Sequence, residues 1–427
     1  MTLEVDPGHV LVRMYNVGFG DCFLLAFPCA DRPRKVLIDC GSHSAGAGPQ
    51  PIADVARRVV SDVTEEDGTP RIDVVIATHR HQDHVSGFKE DIWSEVEVSE
   101  IWMPWTEHPT DPEARRIREA QSTVARDLCL ALQASEHDAA AGQLAQNSLT
   151  NAAAMQTLHE GFSGTPTRRF LAYPERDQNS FEVDALPGVT VHAIGPSRDP
   201  NVIRDMDPPV GGGYLRLTDS GSADGAPSPL FKAEWAIDRE VFLATEAFEH
   251  LRLKESELDR LDELNSVDYL QIAVALEKAV NGTSLMLMFV FEKAFLLFPG
   301  DAQWGTWQAA LADQQWRKLL SQTVFYKVGH HGSHNATPRA FVEELLWSRR
   351  TEPDTPLDDF SAAVSTRTID IWKYIPKKEL LAALHSTTPR LARSDVQTPQ
   401  APGFDYIDEI VVQTQIPTSW SRKHEQP

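Results

Sequence analysis

The chain has 427 residues, enough for one large domain with insertions or for two domains. Its 62 acidic residues against 40 Lys and Arg give a formal charge of −22, which favours solubility and disfavours a broad electrostatic grip on nucleic-acid backbones. Cys22, Cys29, Cys40 and Cys129 form no C-x-x-C pair, no apolar run reaches the length of a membrane span, and the N-terminus lacks a basic and an apolar leader region, so a soluble, cytoplasmic protein with reduced thiols is expected.

Val10–Val17 reads as a strand, Gly18-Phe-Gly-Asp21 as a tight turn, and Cys22–Phe27 as the returning strand of a hairpin. Lys35-Val-Leu-Ile-Asp39 is a third strand, closed by Cys40-Gly-Ser42. Its terminal Asp39 is either a cap for the loop that follows or a partner standing behind a metal ligand, because a bare buried carboxylate is costly. Ile52–Val63 has helical spacing, and Ile72–Ala77 is apolar and β-branched, as in a buried strand.

That strand runs into Thr78-His-Arg-His-Gln-Asp-His-Val-Ser-Gly87, where His79, His81, Asp83 and His84 fall within six residues. At a strand end, His79 and His81 project to the same side, and Asp83 and His84 approach from the turn that follows. Neutral imidazoles and a carboxylate are ligands for a zinc-like or manganese-like dication, and four on so short an arc suit two neighbouring ions better than one. A His-rich polar surface loop is the plainer alternative.

Beyond the motif, Val96–Trp105 is a strand with Trp102 and Trp105 as core residues, and Pro109–Ser135 is a helix capped by Thr110 or Asp111. Ala139–Met155 reads as further helix, Phe170–Tyr173 and Val189–Ile194 as short strands, 197–235 as a Gly/Pro/Ser-rich loop, and Glu240–Ala279 as a charged helix with a solvated face. Ser284–Phe291 and Ala294–Phe298 return as strands, the second entering Pro299-Gly-Asp301. A helix over Gln303–Ser321 leads to the strand Thr323–Val328, closed by Gly329-His-His-Gly-Ser-His334. Phe360–Ser365 and Glu409–Gln413 are late strands around a helix at Pro376–His385, and the chain from Ser419 is a polar tail.

Three strand ends therefore carry ligand-type residues: the His79–His84 arc, Asp301, and His330 with His331. Six of the fifteen histidines lie in the two stretches 79–84 and 330–334, a clustering that scattered core or surface histidines would not give. The Pro-Gly turn delivers Asp301 to a strand-end surface, where a carboxylate can bridge two ions, although it also suits the cap of the next helix.

These residues resemble the metallo-β-lactamase superfamily: His79-x-His-x-Asp-His84, with Asp39 upstream and Gly300-Asp301 and His330-His-Gly-Ser333 downstream. Asn16-Val-Gly-Phe-Gly-Asp-Cys-Phe-Leu-Leu25, Leu37-Ile-Asp-Cys-Gly41, Asn281-x-x-Ser284, Phe298-Pro-Gly-Asp-Ala302 and Lys327-Val-Gly-His-His-Gly-Ser333 are similar to one branch, which includes the hydrolase domain of the competence DNA-uptake protein ComEC. The resemblance covers roughly residues 10–105 and 280–415. It implies a four-layer αββα sandwich with the site at one edge between the sheets. The halves are expected at 1–105 and 281–418, with a helical, loop-rich insertion at 106–280 and a tail at 419–427.

The resemblance implies that His79 and His81 bind a first ion, that Asp83 and His84 bind a second, and that Asp301 bridges them. One of His330 and His331, with His330 taken first, completes the second ion. Many members supply a third histidine to the first ion from a strand before the bridging aspartate; His192 is the candidate here, with a plain strand role as the alternative. Two divalent cations are expected, zinc first and manganese second.

Asp83 and Asp301 are the expected catalytic carboxylates, since water held between two ions ionises near neutral pH. Ser333 and His334 stand where a leaving group or phosphate oxygen is contacted, though loop polarity explains them as well and is preferred for His334 and Asn335. A dinuclear hydrolase follows, a phosphodiesterase or nuclease-like enzyme foremost, with lactone, thioester or amide substrates as the alternative. The net charge weighs against nucleic acid, no membrane partner is expected, and oligomeric state is left open. An iron-dependent oxidoreductase ranks low because no flavodoxin-like or rubredoxin-like module is present. A metal-stabilised interaction module draws on the acidic insertion but has no need of a complete ligand set.

Overall fold

A computed structural model of the chain describes residues 3, 5–134, 147, 151–173, 179–209, 211–214, 266–369, 372–396 and 407–414. Its first sheet is built from the N-terminal apolar runs: β1 (His9–Tyr15), β2 (Cys22–Phe27) and β3 (Arg34–Cys40) pair antiparallel, and β3, β4 (Arg71–Ile76), β5 (Glu97–Pro104) and β6 (Thr167–Leu171) continue in parallel. The second sheet repeats that plan. β7 (Ser180–Phe181), β8 (Val189–Gly195), β9 (Met286–Phe291) and β10 (Ala294–Phe298) are antiparallel, and β10, β11 (Phe325–Lys327), β12 (Ser361–Val364) and β13 (Leu391–Arg393) are parallel. β14 (Ile407–Gln413) returns to the first sheet and pairs antiparallel with β1.

Strand alternation decides the layers. On β3, Val36 and Ile38 face the second sheet and pack with Phe289, Leu296 and Phe298, while Leu37 faces outward. The outward face is covered by α1 (Ile52–Val63), whose Val55, Val59 and Val63 recur at helical spacing and lie in the same apolar cluster as Leu37. The outer face of the second sheet, with Met286, Met288 and Tyr326, is covered by Trp307, Trp316, Phe341 and Leu380 from flanking helices. The result is the four-layer αββα sandwich. No helix among the described residues is long and apolar enough to cross a membrane.

Three expectations change. Residues 106–280 are not an insertion throughout, because β6 belongs to the first sheet and β7 and β8 to the second. The C-terminal segment does not build the second sheet alone, since β14 closes the first. The helix expected over Gln303–Ser321 is two helices, α3 (Trp304–Ala312) and α4 (Gln314–Leu320), because Asp313 takes an extended conformation and its carboxylate caps Gln315 N and Trp316 N. The helix starting near Pro109 begins as expected, with the Asp111 side chain accepting from Glu113 N and Ala114 N. Trp102 and Trp105 are fully buried. Most of the helices expected at 139–155 and 240–279, and the tail at 419–427, lie outside the described residues.

Candidate metal centre

The C-terminal ends of β3, β4, β10 and β11 meet where the two sheets touch, with Leu285 N donating to Thr78 O across the gap. Each end brings one part of the site. Asp39, next to last in β3, has φ +57, in the left-handed region. Its carboxylate accepts from Thr78 N and Thr78 Oγ1, each at 2.7 Å, and from His84 Nδ1 at 2.7 Å. Asp39 therefore closes the strand-end turn and orients an imidazole.

The 79–84 arc folds as a short extended piece into the helical turn α2 (Gln82–Val85). This turn seats against the Gly18–Asp21 loop and Gly41, whose backbone approaches so closely that a Cβ at residue 41 would meet His84 N at 2.4 Å. Asp21 N donates to Asp83 O at 2.9 Å and Gly41 N donates to Asp21 O at 2.9 Å, which locks the turn. From the second sheet, Gly300 takes φ +54 and turns Asp301 into the site. His330 and His331 both lie in left-handed conformations, φ 44 and 52.

Asp83, His84, Asp301 and His331 are all buried, and one ligand atom from each lies within 4.8 Å of all the others. His331 Nε2 is 3.1 Å from Asp83 Oδ2 and 3.9 Å from Asp301 Oδ2, and His84 Nε2 is 3.3 Å from Asp301 Oδ2 and 3.8 Å from Asp83 Oδ2. A tetrahedral zinc with bonds of about 2.0–2.1 Å has edges of about 3.3 Å, so donors at these spacings surround a cation with little adjustment. Asp83 Oδ1 and His84 Nε2 are buried without a hydrogen-bond partner, a costly arrangement for groups whose chemistry does not use them. Second partners fix both tautomers: Nδ1 of His84 is tied to Asp39, and Nδ1 of His331 to Ser365 O at 2.9 Å, which presents each Nε2 to the carboxylates. The donor set fits a divalent cation.

Charge tells the same story. Burial opposes the His84 cation, but the carboxylates of Asp301, Asp39 and Asp83 outweigh it and hold the imidazolium well above the usual histidine range. Burial likewise opposes the Asp301 anion, yet His84, His330 and His331 keep it well below the carboxylate range. The cluster favours positive charge. His79 Nε2 and His81 Nδ1 stand 3.0 Å apart beside it. Burial, then neighbouring histidines, pushes His79 well down. His81 falls to about 4, where burial and His84 prevail over Asp83. His330 is likewise lowered to about 4, by burial first.

A pH dependence follows. These three imidazoles stay neutral in the fold and accept protons near pH 6.5 once unfolded, so the unfolded chain binds more protons between pH 6.5 and 4. Their stabilising contribution is present above pH 6.5 and lost as pH falls towards 4. His84 and His331, whose pKa values neighbouring carboxylates raise against burial, act in the opposite sense near pH 7 and are protonated in both states well below it, so the loss from the three lowered histidines should show between pH 6 and 5 in metal-free protein. Urea unfolding with chelator at pH 7, 6 and 5 checks this, and equal stabilities across that range would refute it.

Not every expected residue joins the cluster. His192 does not: on β8, Val191 and Ala193 face the inter-sheet core, so His192 faces the outer layer, bonding Ser180 Oγ at 2.7 Å and packing edge-on against Trp316. Of the His330/His331 pair, it is His331 that reaches Asp83 and joins the quartet, whereas His330 does not join it. His334 turns to Asp207, 3.6 Å away, whose carboxyl is held to about 2 by His334 and Lys278; loop polarity accounts for it. Ser333 is buried and its N–H donates to His330 O at 2.8 Å.

Two buried residues were missed by sequence reasoning. Asp21 pairs with Lys327 Nζ behind the quartet, and Lys327 Nζ also lies 3.8 Å from Asp301 Oδ1. Asp21, Asp39 and His84 form a second group of potential ligands, but Lys327 and Thr78 already answer those carboxylates. Both residues sit on the motifs quoted above, Asp21 ending the glycine turn and Lys327 preceding Val-Gly-His-His.

The fold and site thus define an αββα protein with a buried carboxylate–imidazole cluster at the strand ends. No protein-family model matches the sequence, and no curated protein matches it. Twenty-two chains of solved structures match, including the Zn²⁺-bound PqqB from Methylobacterium extorquens, at 11% identity over 91% of this chain and 97% of that one, with a TM-score of 0.35. At that distance the likeness carries no weight for this chain, whose architecture rests on its own strand order.

Proposed function

We propose that the protein is a dinuclear metal-dependent hydrolase acting on phosphodiesters. The observation that carries this reading is the convergence of Asp83, His84, Asp301 and His331 from both sheets on one buried point. His79 and His81, with Nε2 and Nδ1 3.0 Å apart beside it, would supply donors for the other ion, the one numbered first above. Bound divalent cations would supply a water ionised near neutral pH and polarise the substrate's phosphoryl oxygen.

The chain's own groups do the rest. Asp39 and the Ser365 carbonyl hold His84 and His331 with their Nε2 atoms inward, so no reorganisation is needed when substrate arrives. Asp83 keeps one oxygen, Oδ1, without a protein partner, and that oxygen can accept a hydrogen bond from the attacking water and orient it. Phe19 packs its ring 4.2 Å from that of His331 and screens the cluster from bulk water on that side.

The substrate class is supported by the segment 366–378, Thr-Arg-Thr-Ile-Asp-Ile-Trp-Lys-Tyr-Ile-Pro-Lys-Lys. It holds four basic residues and one acidic residue in a chain of net charge −22. Described residues of it stand beside the site: Trp372 stacks on Phe19 at 4.7 Å, and Lys377 N donates to Gly332 O at 2.9 Å, one residue past His331. Tyr374 is 64% exposed, with Lys373 Nζ 5.1 Å and Lys377 Nζ 5.6 Å from its ring centroid. A local cationic, aromatic rim suits a phosphodiester that the remaining acidic surface would repel.

Elemental analysis of freshly purified protein, with hydrolysis of bis-p-nitrophenyl phosphate in added Zn²⁺ or Mn²⁺, tests the reading. Two ions per chain with diesterase activity are expected, and Lys373→Glu with Lys377→Glu should raise KM while metal content stays at two. Two ions with no diesterase activity but turnover of lactones, thioesters or amides would overturn the substrate class. Absence of bound metal would overturn the hydrolase itself.

A further inference from the structure

The 79–84 arc is held at both ends by residues of the N-terminal motifs: Asp39 accepts from Thr78 N and Thr78 Oγ1, and Asp21 N donates to Asp83 O. Its middle, residues 80–82, is held by side chains from the stretch 106–280. Asn151 Nδ2 donates to Arg80 O at 2.5 Å, and Gln82 N donates to Asn147 Oδ1 at 3.0 Å. Both asparagines are buried, and Asn151 Nδ2 also donates to Asn147 O at 2.8 Å, which joins them. The Arg80 side chain is anchored as well, its Nη2 donating to Oε2 of the buried Glu107 at 3.1 Å. Between the two held peptide groups stands His81, at φ −66 and ψ 152. Its own carbonyl accepts from His84 N and Val85 N, each at 3.0 Å. The backbone is thus tied on either side of one imidazole, and Nδ1 of that imidazole lies 3.0 Å from His79 Nε2.

We infer that Asn147 and Asn151 are positioning residues for His81, so that a segment outside the motif regions sets how tightly an ion is held at His79 and His81. Metal–ligand distances tolerate only about ±0.2 Å, and a histidine with free backbone on either side gives up that freedom when a cation binds. Fixing Arg80 O and Gln82 N beforehand takes this cost out of the binding step. The two amides act in opposite senses. Asn147 offers its oxygen to an N–H, while Asn151 offers its nitrogen to a carbonyl. Asn147 Nδ2 is buried without a hydrogen-bond partner, so the oxygen is the part of that side chain the arc uses. Buried amides need partners, and the partners here are main-chain groups on the two sides of His81. Coupling of this kind runs both ways: a cation that fixes His81 also tightens the hold of the two asparagines on the arc.

The inference rests on the dinuclear reading above, and the test separates the two. Zn²⁺ is titrated into the full-length protein against a competing chelator, with circular dichroism as the folding control. The same isosteric change is made at both positions. Asn147→Asp keeps the oxygen that accepts from Gln82 N and should bind zinc within about threefold of wild type, whereas Asn151→Asp replaces the donor to Arg80 O and should weaken one ion by about 10–100-fold. Both variants bury a new carboxylate, so equal losses would mean generic damage and overturn the inference. Asn147→Leu, which removes the acceptor without adding charge, should weaken the same ion. Combination with His79→Gln identifies that ion: Asn151→Asp should then add less than about twofold, but should keep its full effect beside His331→Gln. The reverse order would overturn the assignment to His81 while leaving a dinuclear wild type intact. Hydrogen exchange of metal-free protein gives a readout that needs no zinc: the Gln82 amide should exchange roughly 5–10-fold faster in Asn147→Leu, the loss of one hydrogen bond. Fewer than two ions in wild type would bring down the dinuclear reading alone, and unchanged Gln82 exchange would still overturn the clamp.

Discussion

Asp301→Ala is expected to strip the protein of metal and lower diesterase turnover at least ~10³-fold, about 4 kcal/mol of transition-state stabilisation. The size follows from position. Asp301 Oδ2 lies 3.3 Å from His84 Nε2 and 3.9 Å from Nε2 of both His330 and His331, so one oxygen faces three imidazoles. Asp83 reaches the His84 and His331 side, and Asp39 is committed to Thr78 and His84, so neither is free to replace it. Alanine also removes the acceptor of His330 N, which helps hold the left-handed turn. Asp301→Asn keeps the volume and one oxygen, so it should retain the fold while still losing at least one ion. Zinc analysis and steady-state rates on both variants, with circular dichroism as the folding control, give the answer. Two ions and a rate within tenfold of wild type in Asp301→Ala would show that this carboxylate supports the His330 turn and nothing more.

Much of this site was legible because the residues of its cluster end strands. An apolar run broken by a polar residue and glycine is a local signal, and Ile72–Ala77 into His79, Phe298-Pro-Gly into Asp301, and Val328-Gly into His330 all carry it. The His330/His331 choice was not legible, since it depends on two left-handed dihedrals that no propensity assigns to histidine. His192 was a different failure. Period-two alternation in Val189-Thr-Val-His-Ala already put it opposite Val191, and the resemblance outweighed that pattern. The motif regions likewise make 106–280 look like insertion although Phe170–Tyr173 and Val189–Ile194 read as strands; which sheet a strand joins is decided by pairing partners far away in sequence. Asp21 and Lys327 lie 306 residues apart and meet only through the packing of the two sheets, so neither local pattern nor spacing announces the pair.

Lys327→Met should cost about 3–5 kcal/mol of folding stability, more than its partner's replacement by Asn. Lys327 and Asp21 are both almost fully buried, and the lysine ammonium contacts the Asp21 carboxylate directly. Burial opposes the charge on Lys327, but Asp21 and Asp301 outweigh it and raise its pKa, so the group stays an ammonium. Methionine preserves the aliphatic length and leaves Asp21 as a buried anion. Its remaining cationic neighbours are already engaged: His84 Nδ1 and His331 Nδ1 each lie 3.7 Å from Asp21, but the first is bonded to Asp39 and the second to Ser365 O. The opposite variant, Asp21→Asn, leaves a lysine that still has Asp301 Oδ1 at 3.8 Å and Gly300 O at 3.5 Å, so it should lose less. That asymmetry separates a specific ion pair from generic core damage, which would cost similar amounts from either end. Urea unfolding of both single variants and the double variant completes the cycle, and the double should recover part of the Lys327→Met loss because no buried charge is left unpaired. If Lys327→Met unfolds at the same urea concentration as wild type, the ammonium is not what balances the carboxylates behind the metal centre.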